Sequence, residues 1–203
     1  ERPGGGLARA GVDVILNPSA SHFAFGKHAV RQRFVLEGSR AFHVSYVYTN
    51  LLGNEAGRAI YDGDAMIASG GRMLASGPRF SYADYQLTTA VIDVDHTRMQ
   101  RVRAGSFNPD IGSTGSVVIE VPGAFPHIAP EVQPLEEAGW EHSDFHKEEE
   151  FARAVALGLF DADDDDSPIK PDAMGEVEIP RWRHAIANIP DPLLEMGLVV
   201  IDT

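Results

Sequence analysis

The hydrophobic pattern begins with a short apolar segment at residues 12–16, in which Asp13 is the only polar residue. Continuous apolar character of this kind is typical of a β-strand covered on both faces, and we predict such a strand over residues 12–17. Small and polar residues follow directly, among them Ser19, Ser21 and Gly26. They predict a loop at the end of the strand, which is a common place for a ligand to bind.

The pattern changes to a helical period over residues 26–42. Val30, Phe34 and Ala41 fall near one face, and Val35, Leu36 and Gly38 widen this apolar stripe, which we predict to pack on the core. The polar residues that mostly point outward are Lys27, Arg31, Gln32 and Arg40. A strand–loop–helix unit is therefore predicted for residues 12–42.

Strands predominate in the next part of the chain. Aromatic and β-branched residues predict strands at 43–49, 58–61, 65–68, 73–75, 86–94 and 116–121, with a turn at 62–64 and a hairpin at 69–72. Residues 95–103 and 144–160 are predicted to be helices, the second because acidic residues occupy its first turns. We predict one structural unit over residues 1–160 and an acidic, proline-containing tail over 161–203, for which no fold is predicted.

The amino-acid composition excludes several classes of site and partner. The chain of 203 residues contains no cysteine, which excludes disulfides, thiolate metal sites and a cysteine nucleophile. Its net charge of −13 argues against nucleic acid as a partner, because phosphate groups repel such a surface. No segment has the roughly 18 apolar residues of a membrane span, and the first residues lack the apolar core of a signal peptide. We therefore expect no membrane partner and a cytoplasmic location.

Two histidines raise the question of a metal site. His142 and His146 are four residues apart, so one helix face could present both to a metal ion. The acidic residues around them are more typical of a solvated helix N-terminus. We predict no metal site.

Four segments together resemble the glutaminase domain of the glutamine-dependent NAD synthetases, which belong to the nitrilase, or carbon–nitrogen hydrolase, superfamily. The segments are residues 14–21 with 26–27, residues 40–48, residues 53–55 with 61–63, and residues 77–80. Each segment alone is a weak signal, but their shared order makes them specific together. The resemblance assigns residues 1–160 to the C-terminal portion of such a domain.

The resemblance implies an α/β (α+β) fold, an α-β-β-α sandwich that would be incomplete in this chain. It also implies glutamine as the substrate, which a Glu-Lys-Cys triad hydrolyses to supply ammonia to a synthetase domain that amidates deamido-NAD. The family's glutamine contacts fall on Ser21 and Lys27. A serine hydroxyl can bind an α-amino or α-carboxylate group, and a lysine at a helix start suits a carboxylate. Further candidates for lining the pocket are Ser19, Phe23 and Glu55.

The family's nucleophilic cysteine has no counterpart among these residues. We expect the chain to begin just after that position, to carry the glutamine-binding half of the domain and to be inactive alone, with no catalytic residue of its own. ATP and deamido-NAD would bind the absent synthetase domain, so no cofactor is expected in this chain. Homo-oligomers are expected. Two alternatives stay open: a non-catalytic nitrilase-like scaffold kept for oligomerisation, and a nitrilase-type amidase with another substrate.

Overall fold

Two β-sheets, each packed against one long helix, organise the chain. The computed structural model describes residues 3–55, 58–110, 119–124, 126–129, 135, 137–159 and 170–172. In chain order, the helices and strands are α1 (Pro3–Arg9), β1 (Val14–Ser19), α2 (Lys27–Phe42), β2 (Ser45–Asn50), β3 (Leu52–Glu55), β4 (Ala59–Asp62), β5 (Ala65–Ser69), β6 (Arg72–Ser76), α3 (Val94–Arg103), a 3₁₀ helix (Gly139–His142) and α4 (His146–Leu159).

The larger sheet has four strands in the order β1-β2-β5-β6. β1 and β2 are parallel, while the other neighbouring strands are antiparallel. Helix α2 connects β1 to β2 and packs on one face of the sheet through a cluster that contains Val35, Tyr48 and Met66. This arrangement confirms the predicted strand–loop–helix unit and the predicted α/β fold class.

Strand β1 lies at the edge of the sheet and is covered on one face only. Ile15 packs with Ala8 of α1 and with Val44 and is only 6% exposed, whereas Leu16 is 71% exposed. Successive side chains of a strand point to opposite faces, so Leu16 lies on the side away from α1. The prediction that both faces of this strand are covered is therefore wrong at Leu16.

Helix α2 buries Val35 and Gly38 of the predicted apolar stripe but not Val30 and Phe34. Val30 and Phe34 are 44% and 56% exposed, whereas Arg31 and Val35 are 5% and 1% exposed. Arg31 and Val35 are four residues apart and so share one side of the helix. The guanidinium of Arg31 lies 2.7 Å from the carboxylate of Asp62 in β4, and this buried ion pair fixes the rotation of the helix.

The smaller sheet is the antiparallel hairpin of β3 and β4, which packs against α4. Leu157 is part of the cluster between them, and its carbonyl accepts a 2.7 Å hydrogen bond from the side-chain amide of Asn54. β4 pairs with β3 and not with β5, so the hairpin turn predicted at residues 62–64 is wrong. This segment instead crosses from the small sheet to the large one, with Gly63 and Asp64 at φ values of +78° and +89°.

The strand predicted at residues 86–94 is wrong, since no strand forms there, and residues 116–118 of the strand predicted at 116–121 lie outside the described residues. Other elements follow the sequence more closely. The hairpin predicted at residues 69–72 joins β5 to β6, and α3 and α4 form within two residues of the predicted bounds. The predicted tail at 161–203 lies outside the described residues except for 170–172. Over the part of the chain that the structure describes, no helix combines the length and the apolar character of a membrane span.

Candidate functional site

The candidate site is the loop of residues 20–26, which connects the end of β1 to the start of α2. Ser19 is the last residue of β1 and stands in register with Asn50, the last residue of β2. The carbonyl of Ser19 also accepts a 2.9 Å hydrogen bond from the amide of Leu51. The loop therefore leaves the sheet from a fixed point at the shared carboxyl end of two parallel strands.

Ser21 is held by the side chain of Asn50. The amide oxygen of Asn50 accepts a 2.8 Å hydrogen bond from the backbone N–H of Ser21, and its NH₂ group donates a 2.9 Å hydrogen bond to the backbone carbonyl of Ser21. Both backbone groups of Ser21 are thus occupied, while its hydroxyl has no hydrogen-bond partner among the described residues. The hydroxyl is half-buried and is available to a ligand.

Lys27 folds back onto the same loop. Gly26 precedes it at φ +71°, a left-handed conformation that turns the chain into α2. The ammonium group of Lys27 donates a 2.7 Å hydrogen bond to the carbonyl oxygen of His22, the residue after Ser21. An ammonium group has three donors, so this contact leaves two for an anionic ligand. The two predicted glutamine contacts therefore lie on one loop, with the ammonium group against the neighbour of Ser21.

Phe23 attaches the middle of the loop to the small sheet. Its amide donates a 2.6 Å hydrogen bond to the carbonyl of Ile60 in β4. Its ring meets the ring of Phe80 edge-on, with 5.5 Å between their centroids, in the cluster that also contains Leu157. Phe23 was a candidate for lining the pocket, and the structure places its ring against this hydrophobic cluster.

Glu55 lies at the end of β3, on the hairpin rather than on the loop. Its carboxylate accepts a 3.0 Å hydrogen bond from the hydroxyl of Tyr61, and this bond raises the pKa of Tyr61 above its usual value. Ser19 is half-buried at the end of β1. Whether Ser19, Phe23 and Glu55 contact a ligand stays a prediction.

A buried group of charged side chains lies beneath the loop and was not predicted from the sequence. Asp62 bridges two arginines: its carboxylate lies 2.7 Å from the guanidinium of Arg31 and 3.0 Å from that of Arg79. Arg79 also pairs with Glu150 of α4. Burial alone would lower the pKa of Arg79, but the bond to Glu150 and the nearby negative charges raise it above its usual value. These ion pairs connect α2, the end of β4 and α4.

His28 extends this group towards the loop. Its Nδ1 lies 2.9 Å from the carboxylate of Asp64, and its Nε2 lies 3.7 Å from that of Glu141. Burial raises the pKa of Glu141, and the electrostatic influence of His28 and Arg79 offsets part of that effect. Lys27 immediately precedes His28, so the ion-pair group also fixes the first turn of α2. The feature of the sequence that could have indicated this group is Arg31, a charged residue next to the apolar positions of α2.

The two histidines considered as metal ligands lie on different elements. His142 ends the 3₁₀ helix and contacts Glu137, while His146 begins α4. They do not share one helix face, and the structure shows no cluster of three metal-ligating side chains among the residues that it describes. A surface hollow of about 610 Å³ lies between α1, the end of α2 and residues 106–108, away from the candidate loop.

Comparison with known proteins identifies the relatives of this chain. A glutamine-dependent NAD(+) synthetase of Schizosaccharomyces pombe, described as putative, is 35% identical over 109 residues, which are 54% of this chain and 15% of that protein. The human glutamine-dependent NAD(+) synthetase is 35% identical over 98 residues, which are 48% of this chain and 14% of that protein. No model of a protein family matches the chain.

Among solved structures, a glutamine-dependent NAD(+) synthetase from Cytophaga hutchinsonii has a TM-score of 0.47 and 34% identity and covers 76% of this chain and 18% of its own. This chain spans only about 15% of the length of the curated relatives that it matches. The predicted resemblance is confirmed in sequence over about half of the chain.

Proposed function

We propose that this chain, a homologue of the glutamine-dependent NAD(+) synthetases over about half of its length, forms the glutamine-binding part of a glutaminase domain. Ser21 and Lys27 bind the α-amino and α-carboxylate groups of glutamine. The observation that carries this proposal is the placement of the Lys27 ammonium group on the carbonyl oxygen of His22, directly beside Ser21.

The chemistry of the two side chains supports these two roles in binding the α-amino and α-carboxylate groups. The Lys27 ammonium group supplies a positive charge and two remaining donors, which suit a carboxylate. The Ser21 hydroxyl can accept from an α-ammonium group or donate to a carboxylate. Both groups recognise the amino-acid end of glutamine and leave its side-chain amide free to be attacked.

The attack itself requires a group that this chain does not contain. Hydrolysis of an amide by a thiolate needs the thiol, its base and a group that stabilises the oxyanion. The 203 residues include no cysteine, so we propose that the chain binds glutamine without hydrolysing it. ATP and deamido-NAD are assigned to a synthetase domain and not to these residues. Homo-oligomers and a cytoplasmic location stay predictions.

Calorimetric titration of the purified 203-residue chain with L-glutamine tests the proposal. Lys27→Met should raise the Kd for glutamine about 10- to 100-fold, because a charge-assisted hydrogen bond contributes about 1.5–3 kcal/mol. Ser21→Ala should raise it about tenfold, since a hydrogen bond between a hydroxyl and a charged α group contributes about 1.5 kcal/mol. Lys147→Met and Ser106→Ala are matched controls at exposed positions away from the loop and should leave the Kd unchanged.

A second ligand separates recognition of the α groups from recognition of the amide. Butyramide carries the side-chain amide of glutamine without the α-amino and α-carboxylate groups, so it should bind far more weakly. Failure of the unsubstituted chain to bind L-glutamine would overturn the proposal, as would equal affinity for butyramide. Release of ammonia from glutamine by the purified chain would overturn the statement that it does not hydrolyse glutamine.

A further inference from the structure

We propose that Asn50 is a positioning residue for glutamine binding, which it controls by fixing the backbone of Ser21; this inference rests on the function proposed above. Asn50 itself makes no contact with the ligand in this proposal. Its side-chain amide binds both the N–H and the carbonyl of Ser21, at 2.8 Å and 2.9 Å.

The chemistry of this contact is specific to an amide side chain. An asparagine offers an acceptor oxygen and a donor NH₂ group side by side, so it can pair with one backbone N–H and one backbone carbonyl. Turning the amide over would bring two donors together and two acceptors together at Ser21, so the bonding pattern fixes its orientation. An aspartate has nearly the same shape but has no donor for the carbonyl of Ser21.

Asn50 attaches the loop to a fixed point of the larger sheet. It is the last residue of β2 and lies in register with Ser19, and the next residue, Leu51, donates to the carbonyl of Ser19. The backbone of Asn50 is therefore fixed by the parallel pair of β1 and β2. The other attachments of the loop act elsewhere, through the amide of Phe23 and the ammonium group of Lys27. Among the residues that the structure describes, Asn50 is the one that hydrogen-bonds to Ser21, whose hydroxyl is proposed to bind the ligand.

The orientation of Ser21 matters because a hydroxyl contributes to affinity only when it points at its partner. A ligand site must hold its contacting groups within roughly 0.5 Å of the productive geometry. If the Asn50 pair of hydrogen bonds is lost, Ser21 can rotate about its backbone and its hydroxyl no longer meets the glutamine α groups. Asn50 should therefore act through Ser21, and the effects of substituting the two residues should not add.

The test compares Asn50→Asp with Asn54→Asp in the full chain. Asn54 is a matched control because it is also half-buried and its amide also donates to a backbone carbonyl, that of Leu157 in α4. Asn50→Asp should raise the Kd for L-glutamine at least tenfold, and Asn54→Asp should change it less than twofold. Hydrogen exchange at the Ser21 amide should become faster in Asn50→Ala, which also removes the acceptor for that amide, and should stay unchanged in Asn54→Asp. Asn50→Ala, which introduces no charge, replaces Asn50→Asp if that variant does not fold.

A double-mutant cycle separates positioning from a purely structural role. Adding Ser21→Ala to Asn50→Asp should have little further effect on the Kd, whereas adding it to Asn54→Asp should cost its full tenfold. Additive effects of Ser21→Ala and Asn50→Asp would overturn the inference and leave the proposed function standing. An unchanged Kd in Asn50→Asp would do the same. If the unsubstituted chain binds no glutamine, the proposed function fails first and the inference fails with it.

Discussion

The guanidinium group of Arg79 lies 3.0 Å from the carboxylate of Asp62, and both side chains are almost completely buried. Asp62 is shared with Arg31, while Arg79 is shared with Glu150 of α4. The pair therefore lies at the point where α2, the β3–β4 hairpin and α4 meet. Removing one member of a buried ion pair is costly, because the other is left without a partner in a poorly solvated place.

Arg79→Met should lower the free energy of unfolding by about 3–5 kcal/mol, since it leaves Asp62 and Glu150 short of a cation. Urea denaturation of both proteins measures this difference. Arg40→Met is the matched control. Arg40 also pairs with a carboxylate, that of Glu37, but their side chains are 65% and 50% exposed, so the loss should be far smaller than for Arg79→Met. Equal losses in the two variants would contradict the assignment of Arg79 to the core.

Local pattern predicted the strand–loop–helix unit correctly but only part of the buried face of the helix. Apolar spacing alone placed Val30 and Phe34 in the core, yet both are exposed, whereas Arg31 is buried. The partners of Arg31 lie more than 30 residues away, at Asp62 and Asp64. Helical periodicity contains no information about such distant carboxylates, so this error could not be corrected from the segment itself.

The candidate site shows the same division between near and distant contacts. Ser21 and Lys27 are six residues apart, and a loop followed by a helix start was sufficient to place them on one segment. Asn50 lies 29 residues from Ser21. An asparagine at the end of a strand is common, and its role became visible only through the two hydrogen bonds. The hairpin turn predicted at residues 62–64 was wrong for a related reason, since β5 finds its partner in the distant strand β2.

Stability should depend on pH through Glu141. Burial raises its pKa above the usual value of 4.5, so the folded chain holds the proton more tightly than the unfolded chain does. Stability should therefore fall as the pH rises from about 4.5 through the raised pKa, by about 1.4 kcal/mol for each unit of the shift. Glu141→Gln does not titrate, so its free energy of unfolding should increase relative to that of the unsubstituted chain over this window.

Urea denaturation of both proteins at intervals between about pH 4 and pH 7 gives the difference directly and cancels the other carboxylates of the group. A difference that stays constant with pH, or one that changes in the opposite direction, would show that the interactions of Glu141 with His28 and Arg79 outweigh its burial.

The two phenylalanines of the loop should differ in their contribution to stability. Phe23 packs on Phe80 within a buried cluster, so Phe23→Ala should cost about 2 kcal/mol, less than the loss at a fully buried position because Phe23 is half-buried. Phe25 is 57% exposed and stacks on Phe151, and Phe25→Ala should cost less than about 1 kcal/mol. Denaturation measures both losses. A larger loss in Phe25→Ala would contradict the attachment of the loop through Phe23.

Glycine is required for different reasons at the two turns that flank the site. Gly26 and Gly63 both have positive φ values, +71° and +78°. An added Cβ at Gly26 would meet nothing within 4 Å, so Gly26→Ala should cost only the backbone strain of about 1–2 kcal/mol. At Gly63 the Cβ would lie 3.1 Å from the side chain of Leu52 and 3.5 Å from the carbonyl of Pro78. Gly63→Ala should therefore be clearly less stable than Gly26→Ala.

Gly105→Ala, at an exposed position with open space around it, is the control and should be neutral or slightly stabilising in the same thermal melts. Equal melting temperatures for the two turn variants would mean that the crossing from the small sheet to the large one is looser than the packing of Leu52 on Gly63 requires.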